Sequence, residues 1–331
     1  MKSYFSSEIS LSKFSYYLPT AYKIVDDFEI DNPDWNIHKV IEKTGINKIY
    51  IAEENQTSVD LAIEAINSFL KKFEVNPNSI DGLLFVTQSP DYVLPTSACI
   101  IQEKIGLPET ILGFDINLGC SGFVNSLAVA VSLIKSSTLN NCLIVCAETY
   151  SKYINKNDRT TKTIFSDAAA VCLLEKNSKT NFLFSPFHFG LDGKGAPNLI
   201  VKGSGARKKM IGEDSNLFMD GGKVFMFTMS EIPKFVNNLL KKNDKTVADI
   251  DLFIFHQASK LVLDTLSQKL NLPSDKVFRN LGSVGNTVSC SIPIAICDAI
   301  DQKKIFNGAT IMLVGFGVGY SWGGTIIKWG E

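Results

Sequence analysis

The sequence predicts an α/β protein of two similar halves, each a β-α-β-α unit. One reason is an internal repeat, because IDGLLFVTQ at Ile80–Gln88 aligns with IDLFIFHQ at Ile250–Gln257 when one residue is dropped. A helix-like segment and a Leu-Pro pair follow each copy, at Leu107-Pro108 and Leu272-Pro273. Apolar strand-like runs alternate with helix-like segments throughout, which favours mostly parallel sheets. A duplicated β-α-β-α unit of this length implies two halves related by a pseudo-two-fold axis.

The elements of the first half are predicted from local patterns. Thr57 and Asp60 form a capping box, which is typical of a helix N-terminus. Continuous apolar runs bounded by turn residues indicate buried strands. Small residues at Ala168–Ala170 suggest a turn that leads into a further strand. In order, we expect strand-like pieces within residues 1–55, a helix to about Phe73, strand Asp81–Thr87, helix Ser97–Ile105, strand Cys142–Ala147, and a strand within Thr163–Leu174.

The stretch around Cys120 organises the first half. Ile111–Ile116 is predicted to be a strand, and Phe123–Ile134, which contains neither Pro nor Gly, a buried helix. Gly119 and Gly122 flank the cysteine in a connection so short that only a sharp turn fits. A thiol there would lie at a helix N-terminus, whose partial positive charge predicts a pKa below the ordinary value of about 8.5. The alternative is one more buried cysteine among seven.

The second half offers two polar residues at corresponding places. His256 ends the apolar strand Leu252–Phe255, and Asn286 lies opposite Ser121 when the two Leu-Pro pairs are aligned. Singly, each is more often structural, since a histidine at a strand end forms a hydrogen bond and an asparagine after Gly forms a turn or cap. At matching places of a duplicated fold, they are predicted to converge with Cys120. A helix over Ser291–Ile300 and a strand over Thr310–Val314 complete this half, and we place the boundary between residues 1–176 and 177–331.

Composition excludes several classes of protein. The 331 residues carry a net charge of −1, with 45% hydrophobic and 20% charged residues, so neither nucleic acid nor an anionic membrane is an expected partner. No apolar run is long enough to cross a bilayer, and no signal peptide is evident. The cysteines lack disulfide or zinc spacing, so no metal site is expected. We expect a cytoplasmic protein.

Six motifs resemble one known family, the β-ketoacyl-acyl-carrier-protein synthase III enzymes of the thiolase-like superfamily. The resemblance covers nearly the whole chain. Together the motifs are specific because they occur in the family's order and spacing. They are Gly119-Cys120-Ser121-Gly122-Phe123, Asp158-Arg159 with Phe165-x-Asp167, Met219-x-Gly221 with Val224-Phe225, His256-Gln257-Ala258, Gly285-Asn286-Thr287, and the run from Gly315 to Gly323.

The resemblance implies a thiolase-like duplicated α-β-α-β-α fold and a two-step reaction. Cys120 is acylated by an acyl thioester, with its own N–H and that of Val318 forming the oxyanion hole. His256 and Asn286 then bind a malonyl thioester during decarboxylative condensation to a 3-oxoacyl thioester. The implied substrates are coenzyme A or carrier-protein thioesters, the implied partners are acyl carrier protein and a second copy of the chain, and no cofactor is expected.

The resemblance also implies substrate-binding positions and shows departures from the family pattern. Lys39 stands where the family has an adenine-stacking tryptophan, and Trp35 lies four residues earlier. Leu261 replaces an expected basic residue. From the lost stack we predict that carrier-bound primers are preferred to coenzyme A primers. The substrate-binding positions are Arg159, Gly221, Phe225 and Ser259, with Tyr150 lining the acyl pocket and Leu94 closing the acyl pocket of the neighbouring subunit.

Other functions are weighed against this one. A relative that transfers the acyl group from Cys120 to an amine or hydroxyl is the second enzyme hypothesis. A scaffold subunit without catalysis is disfavoured by the intact Cys120, His256 and Asn286. The glycine-rich C-terminal run is unlike a dinucleotide fingerprint, because neither a helix nor a ribose-binding acid follows it.

Overall fold

The computed structural model describes residues 5–6, 9–176, 182–207 and 215–330. Within these ranges the α-helices are α1 Val25–Asp31, α2 Ile37–Thr44, α3 Ser58–Lys72, α4 Ser97–Ile105, α5 Gly122–Lys135, α6 Arg159–Lys162, α7 Gly221–Lys242, α8 Lys260–Leu270, α9 Leu281–Val284 and α10 Ser291–Asp301. The strands are β1 Phe5–Ser6, β2 Ile9–Tyr17, β3 Tyr22–Ile24, β4 Lys48–Tyr50, β5 Gly82–Val86, β6 Leu112–Ile116, β7 Asn141–Glu148, β8 Ala168–Lys176, β9 Leu183–Phe184, β10 His188–Leu191, β11 Leu199–Val201, β12 Leu217–Met219, β13 Leu252–Phe255, β14 Thr310–Gly317 and β15 Ser321–Lys328.

Two larger sheets carry the fold. The first has the order β2-β8-β7-β5-β6, and the second the order β1-β9-β15-β14-β13 with β10 paired to β15. In the first, β5 is parallel to β6 and β7, while β8 is antiparallel to β7 and β2. In the second, only β13 and β14 pair in parallel among the described strands. The repeat is therefore visible as β5-β7-β8 and β13-β14-β15, each a parallel pair followed by an antiparallel one.

The prediction of mostly parallel sheets is wrong, and the sheets are mixed. A continuous apolar run shows that a strand is buried on both faces, but it carries no information on direction. Strands β14 and β15 pair antiparallel over their whole length because only the short turn at residues 318–320 joins them. This turn also places the glycine-rich run in a β-hairpin, with no helix after it.

The layers follow from which helices contact which sheet. Helices α3 and α4 pack on the outer face of the first sheet, and α7 packs on the second sheet and contacts α8. Helices α5 and α10 lie between the sheets, since each contacts strands of both. The middle layer is the largest apolar core, and α5 supplies residues such as Phe123 and Leu127 to it. The order of layers is thus α-β-α-β-α.

Several predicted elements are confirmed and one is corrected. The Thr57 side chain accepts from Asp60 N–H while Asp60 bonds back to Thr57 N–H, so the capping box is present. Helix α4 has the predicted bounds. The turn expected at Ala168–Ala170 is wrong, because these residues already pair with β7 and β2 in strand β8. All three are fully buried, so their small size serves packing rather than a turn. The start of the predicted second half, residues 177–181, lies outside the described residues.

Candidate active site

Cys120 lies in the tight turn between β6 and α5, as predicted. The Gly122 N–H donates to the Gly119 carbonyl over 2.7 Å, which closes the turn. The cysteine is only 7% exposed. Its side chain packs in a small apolar cluster that is separate from the larger cores. The buried members of this cluster are Cys120, Tyr150, Phe165, Leu199, Leu217 and Val288.

Two glycines of β14 allow that strand to pass directly beside the cysteine. A Cβ on Gly317 would lie 2.7 Å from Cys120 Cβ and 2.8 Å from its Sγ. A Cβ on Gly315 would lie 2.8 Å from the Cys120 carbonyl oxygen. Such separations are far below van der Waals contact, so glycine is required at both positions. The second half of the repeat thereby forms one wall of the Cys120 site.

The predicted lowering of the Cys120 pKa is wrong. Burial raises the pKa of this thiol to about 12, and the nearby Glu148 carboxylate adds to the rise. The backbone N–H groups of Cys120 and Val318 donate to the sulfur and oppose it. The helix N-terminus does offer donors, but desolvation of a thiolate in an apolar cluster outweighs them. At physiological pH the Cys120 side chain is therefore a neutral thiol.

His256 follows β13 and is held from three sides. Its backbone N–H donates to the Val314 carbonyl over 2.9 Å, and its Nδ1 lies 2.7 Å from Ser291 Oγ. The Phe316 ring meets the imidazole edge to face, with centroids 5.7 Å apart. Burial lowers the pKa of His256 to about 3, so the ring is neutral at physiological pH. Because Nδ1 is occupied by Ser291, Nε2 remains for the cavity.

Hydrogen bonds to backbone groups fix both the side chain and the main chain of Asn286. Its Oδ1 accepts the Val288 N–H over 3.0 Å, which defines the orientation of the amide and directs Nδ2 the other way. One Nδ2 hydrogen reaches the Ala258 carbonyl at 3.4 Å, and the other has no partner among the described residues. The backbone of Asn286 bonds to Ile164 and Ser166 over 3.0 and 2.9 Å. The amide is thus a positioned donor.

The structure brings Cys120, His256 and Asn286 together at one cavity of about 530 Å³. Three of the predicted substrate-binding positions line this cavity. Lys43 and Thr160, which were not predicted, line it too. Its walls are mainly apolar, which is typical of ligand pockets. The three are Gly221, Phe225 and Ser259.

The remaining predicted positions lie elsewhere. Arg159 is exposed at the start of α6, and its neighbour Thr160 lines the cavity instead. Leu94 is 79% exposed on the loop before α4 and does not line the cavity of its own chain, so its place at the acyl pocket of a neighbouring subunit stays a prediction. Tyr150 is buried behind Cys120, where its hydroxyl donates to Gln88 Oε1 over 2.8 Å. Tyr150 therefore adds bulk next to Cys120, and its place at the acyl pocket stays a prediction.

Sequence reasoning missed Glu148, a fully buried carboxyl at the end of β7. It accepts hydrogen bonds from Ser289 Oγ at 2.7 Å, Ser89 Oγ at 3.0 Å and the Gln88 N–H at 3.1 Å. Burial raises its pKa to about 7, although these donors oppose the rise. A single acid closing the apolar run CLIVCA was an available signal, because strand ends at a sheet edge are typical positions of functional residues.

Two further findings concern metals and membranes. No group of three or more His, Cys, Asp or Glu side chains within the described ranges is arranged to hold a metal ion. In the part of the chain that the structure describes, no helix has both the length and the apolar character needed to cross a membrane.

Comparisons with known proteins show which family this chain resembles. The family models for 3-oxoacyl-[acyl-carrier-protein (ACP)] synthase III and for its C-terminal part match residues 114–193 and 240–329. The β-ketoacyl-[acyl-carrier-protein] synthase III of Fusobacterium nucleatum is 33% identical over 329 residues, covering 97% of this chain and 98% of the relative. That of Streptococcus mutans is 34% identical over 328 residues, covering 96% and 98%.

Solved structures show the same fold. A crystal structure of a 3-oxoacyl-(acyl-carrier-protein) synthase III superposes with a TM-score of 0.92 at 34% identity, covering 97% of this chain and 99% of that one. The β-ketoacyl-[acyl carrier protein] synthase III of Thermus thermophilus superposes with a TM-score of 0.88 at 29% identity, covering 97% of this chain and 99% of that one. The fold is therefore thiolase-like, as predicted.

A duplicated α-β-α-β-α fold with a thiol, an imidazole and an amide at one cavity defines a condensing enzyme of the thiolase-like class. Within that class, the chain belongs to the 3-oxoacyl-[acyl-carrier-protein] synthase III family.

Proposed function

We propose that this enzyme joins an acyl thioester to a malonyl thioester with loss of carbon dioxide, giving a 3-oxoacyl thioester. The observation that carries the proposal is the presence of Cys120, His256 and Asn286 at one apolar cavity. The sequence relatives, which are β-ketoacyl-[acyl-carrier-protein] synthases III, support the same reaction.

In the first step, the Cys120 sulfur attacks the carbonyl carbon of the acyl thioester. The carbon–sulfur bond to coenzyme A or to the carrier breaks, and the departing thiolate gains the thiol proton. The N–H groups of Cys120 and Val318 converge beside the sulfur, so they are placed to donate to the oxygen of the tetrahedral intermediate. Because the thiol is neutral at rest, substrate binding and proton transfer must accompany the attack.

In the second step, the malonyl thioester loses carbon dioxide and leaves an enolate. Neutral His256, through Nε2–H, and Asn286, through Nδ2–H, donate to the enolate oxygen. A neutral imidazole suits this role because it donates a proton in a hydrogen bond without transferring it. The enolate carbon then attacks acyl-Cys120, and the thiolate of Cys120 leaves and regains a proton.

The proposal includes acyl carrier protein and a second copy of the chain as partners. An exposed apolar loop supports a homodimer, because dimerisation would bury it. Its residues Tyr92, Val93 and Leu94 are 60%, 84% and 79% exposed. Next to β6 and α5 lies a groove with apolar lining that includes Phe114 and Val129. Leu94 would then act at the acyl pocket of the partner. These steps need no resident cofactor, and we infer that the enzyme works in the cytoplasm.

The experiment compares the two half-reactions in His256→Ala and Asn286→Ala. Each variant removes an enolate donor, so condensation should fall about 10²–10³-fold. Acylation of Cys120 by an acyl thioester should fall far less, and mass spectrometry of the native enzyme's product should show a 3-oxoacyl carrier protein. Loss of acylation with retained condensation would reverse the assigned roles, and transfer of the acyl group to an amine or hydroxyl would favour the alternative reaction.

A further inference from the structure

A second cavity lies next to Phe165, outside the cavity that Cys120 lines. It holds about 400 Å³ and does not include Cys120, His256 or Asn286. Its volume lies within the range of ligand pockets. Among the described residues, Phe165 is the one that lines both cavities.

The second cavity has an apolar floor. Phe28 is 5% exposed and Ile49 is 3% exposed, and both belong to the apolar core around β13 and β14. Ile51 and Ile154 extend this surface towards Phe165. A floor of this kind buries hydrocarbon favourably.

The rim of the same cavity is positively charged. Lys23, Lys156 and Lys162 line it together with one acid, Asp31. Asp31 is already paired with Lys23. Within the described ranges, neither Lys156 nor Lys162 forms an ion pair.

Lys162 is held over the cavity by neutral partners. Its Nζ lies 3.4 Å from Asn32 Oδ1 and 5.2 Å from the centre of the Trp35 ring. Burial lowers the pKa of Lys162, and the neighbouring Lys23 and Lys156 contribute to the lowering while Asp31 opposes it. A negative charge at this rim would therefore relieve repulsion between like charges.

We propose that this second cavity binds an amphipathic anion, with its hydrocarbon chain on the apolar floor and its acidic head beside Lys156 and Lys162. A fatty acid and an alkyl phosphate share this chemistry. The head gains hydrogen bonds from ammonium groups that lack a carboxylate partner, while the chain covers Phe28 and Ile154.

Occupancy of the second cavity would act on the active site through Phe165. The backbone on either side of Phe165 bonds to Asn286, since the Ser166 N–H donates to the Asn286 carbonyl over 2.9 Å and the Asn286 N–H donates to the Ile164 carbonyl over 3.0 Å. A ligand that displaces the Phe165 ring therefore shifts the loop that positions the Asn286 amide. This step rests on the proposed function, because it assumes that Asn286 serves condensation.

The test is calorimetric titration of the full-length enzyme, saturated with coenzyme A so that the first cavity is occupied. Decanoate and decyl phosphate are the charged probes, and decanol is the neutral one. We expect the charged probes to bind at least tenfold more tightly than decanol. The ratio of the affinities for decanoate and decyl phosphate shows whether the site prefers a carboxylate or a phosphate head. Lys156→Glu should weaken both charged probes at least tenfold, whereas the exposed Lys104→Glu on α4 should leave binding unchanged.

Absence of binding at about 1 mM probe would overturn the proposal. A Kd of about 1 mM corresponds to a binding free energy of about −4 kcal/mol. Equal binding of decanol and decanoate, or equal affinities in Lys156→Glu and Lys104→Glu, would overturn it too. The coupling is tested by the condensation rate with saturating decanoate, which should change in native enzyme and Lys104→Glu but not in Lys156→Glu. An equal effect in all three would refute the coupling. Binding is read without turnover, so failure of the proposed condensation would leave the titration result interpretable.

Discussion

The imidazole of His256 and the hydroxyl of Ser291 are 2.7 Å apart, and both residues are buried. Among the described residues, the only hydrogen-bond partner of the Ser291 hydroxyl is Nδ1 of His256. The hydroxyl proton has no other acceptor there, so we infer that the hydroxyl donates to Nδ1 and that Nε2 carries the proton of the neutral ring. In the proposed reaction, Ser291 at the start of α10 thus favours the tautomer that donates to the enolate.

Replacing Ser291 should impair condensation selectively. In Ser291→Ala the proton can occupy either ring nitrogen, so condensation should fall at least about tenfold while Cys120 acylation stays near native. Ser291→Thr keeps the hydroxyl and should restore most of the rate. Single-turnover acylation and condensation assays measure both steps. Equal losses in both steps, or no rescue by threonine, would show that Ser291 serves only packing.

Glu148 should make folding stability depend on pH. Its pKa is about 7 in the folded protein against an ordinary 4.5, so the folded state holds this proton more tightly than the unfolded chain does. The resulting stabilisation is complete below about pH 4.5 and is lost as the pH rises through about 7. Glu148→Gln does not titrate, so its free energy of unfolding should gain about 3 kcal/mol relative to native protein between pH 4.5 and 8.

Urea unfolding at several pH values measures this difference. The exposed Glu103→Gln on α4 is the matched control and should follow the native protein at every pH. A stability difference between Glu148→Gln and native protein that is constant with pH would contradict the assigned shift.

A methyl group at Gly317 should block the nucleophile. Its carbon would lie 2.7 Å from Cys120 Cβ, so the thiol or the strand must move. Because displacement of a reacting group by about 1 Å costs about 100-fold in rate, Gly317→Ala should lose at least this much acylation activity. Gly193→Ala, whose added Cβ meets nothing within 4 Å, should behave as native. Stopped-flow acylation would check both, and normal acylation of Gly317→Ala would refute the close approach.

The prediction that carrier-bound primers are preferred is sharpened by the structure. Lys39 is exposed, and the Trp35 ring lies against Lys162 rather than at the first cavity. Among the described residues, no tryptophan therefore lines the first cavity to stack on adenine, a contact worth about 1–3 kcal/mol elsewhere. Specificity constants for one acyl group on both donors should favour the carrier, and Lys39→Trp should raise the constant for coenzyme A while the distant Lys71→Trp does not. A tenfold native preference for coenzyme A would contradict this.

The sequence was most informative where local chemistry decides the structure. The capping box at Thr57, the bounds of α4 and the turn at Cys120 depend on neighbouring residues, and all were predicted. Strand direction was mispredicted because it depends on which distant strand becomes a neighbour. The Cys120 pKa was mispredicted for a related reason, since its desolvation comes from residues remote in sequence.

The residues missed in the site share this non-local origin. Ser291 is one serine at the start of an apolar helix, and only the folded structure brings it to His256. The same holds for Ser289, whose hydroxyl reaches Glu148 from 141 positions away. Helices α1 and α2 were also missed within residues 1–55, although α2 lines the cavity through Lys43.

The central claim is that Cys120 carries the acyl group that malonyl carrier protein then consumes. The most direct test treats the enzyme with an acyl thioester, maps the adduct by peptide mass spectrometry, and then adds malonyl carrier protein. The predicted result is an acyl adduct on the Cys120 peptide alone, which disappears as 3-oxoacyl carrier protein forms with one carbon dioxide released per product. A dominant adduct on any other cysteine, or unchanged turnover in Cys120→Ala, would contradict the account.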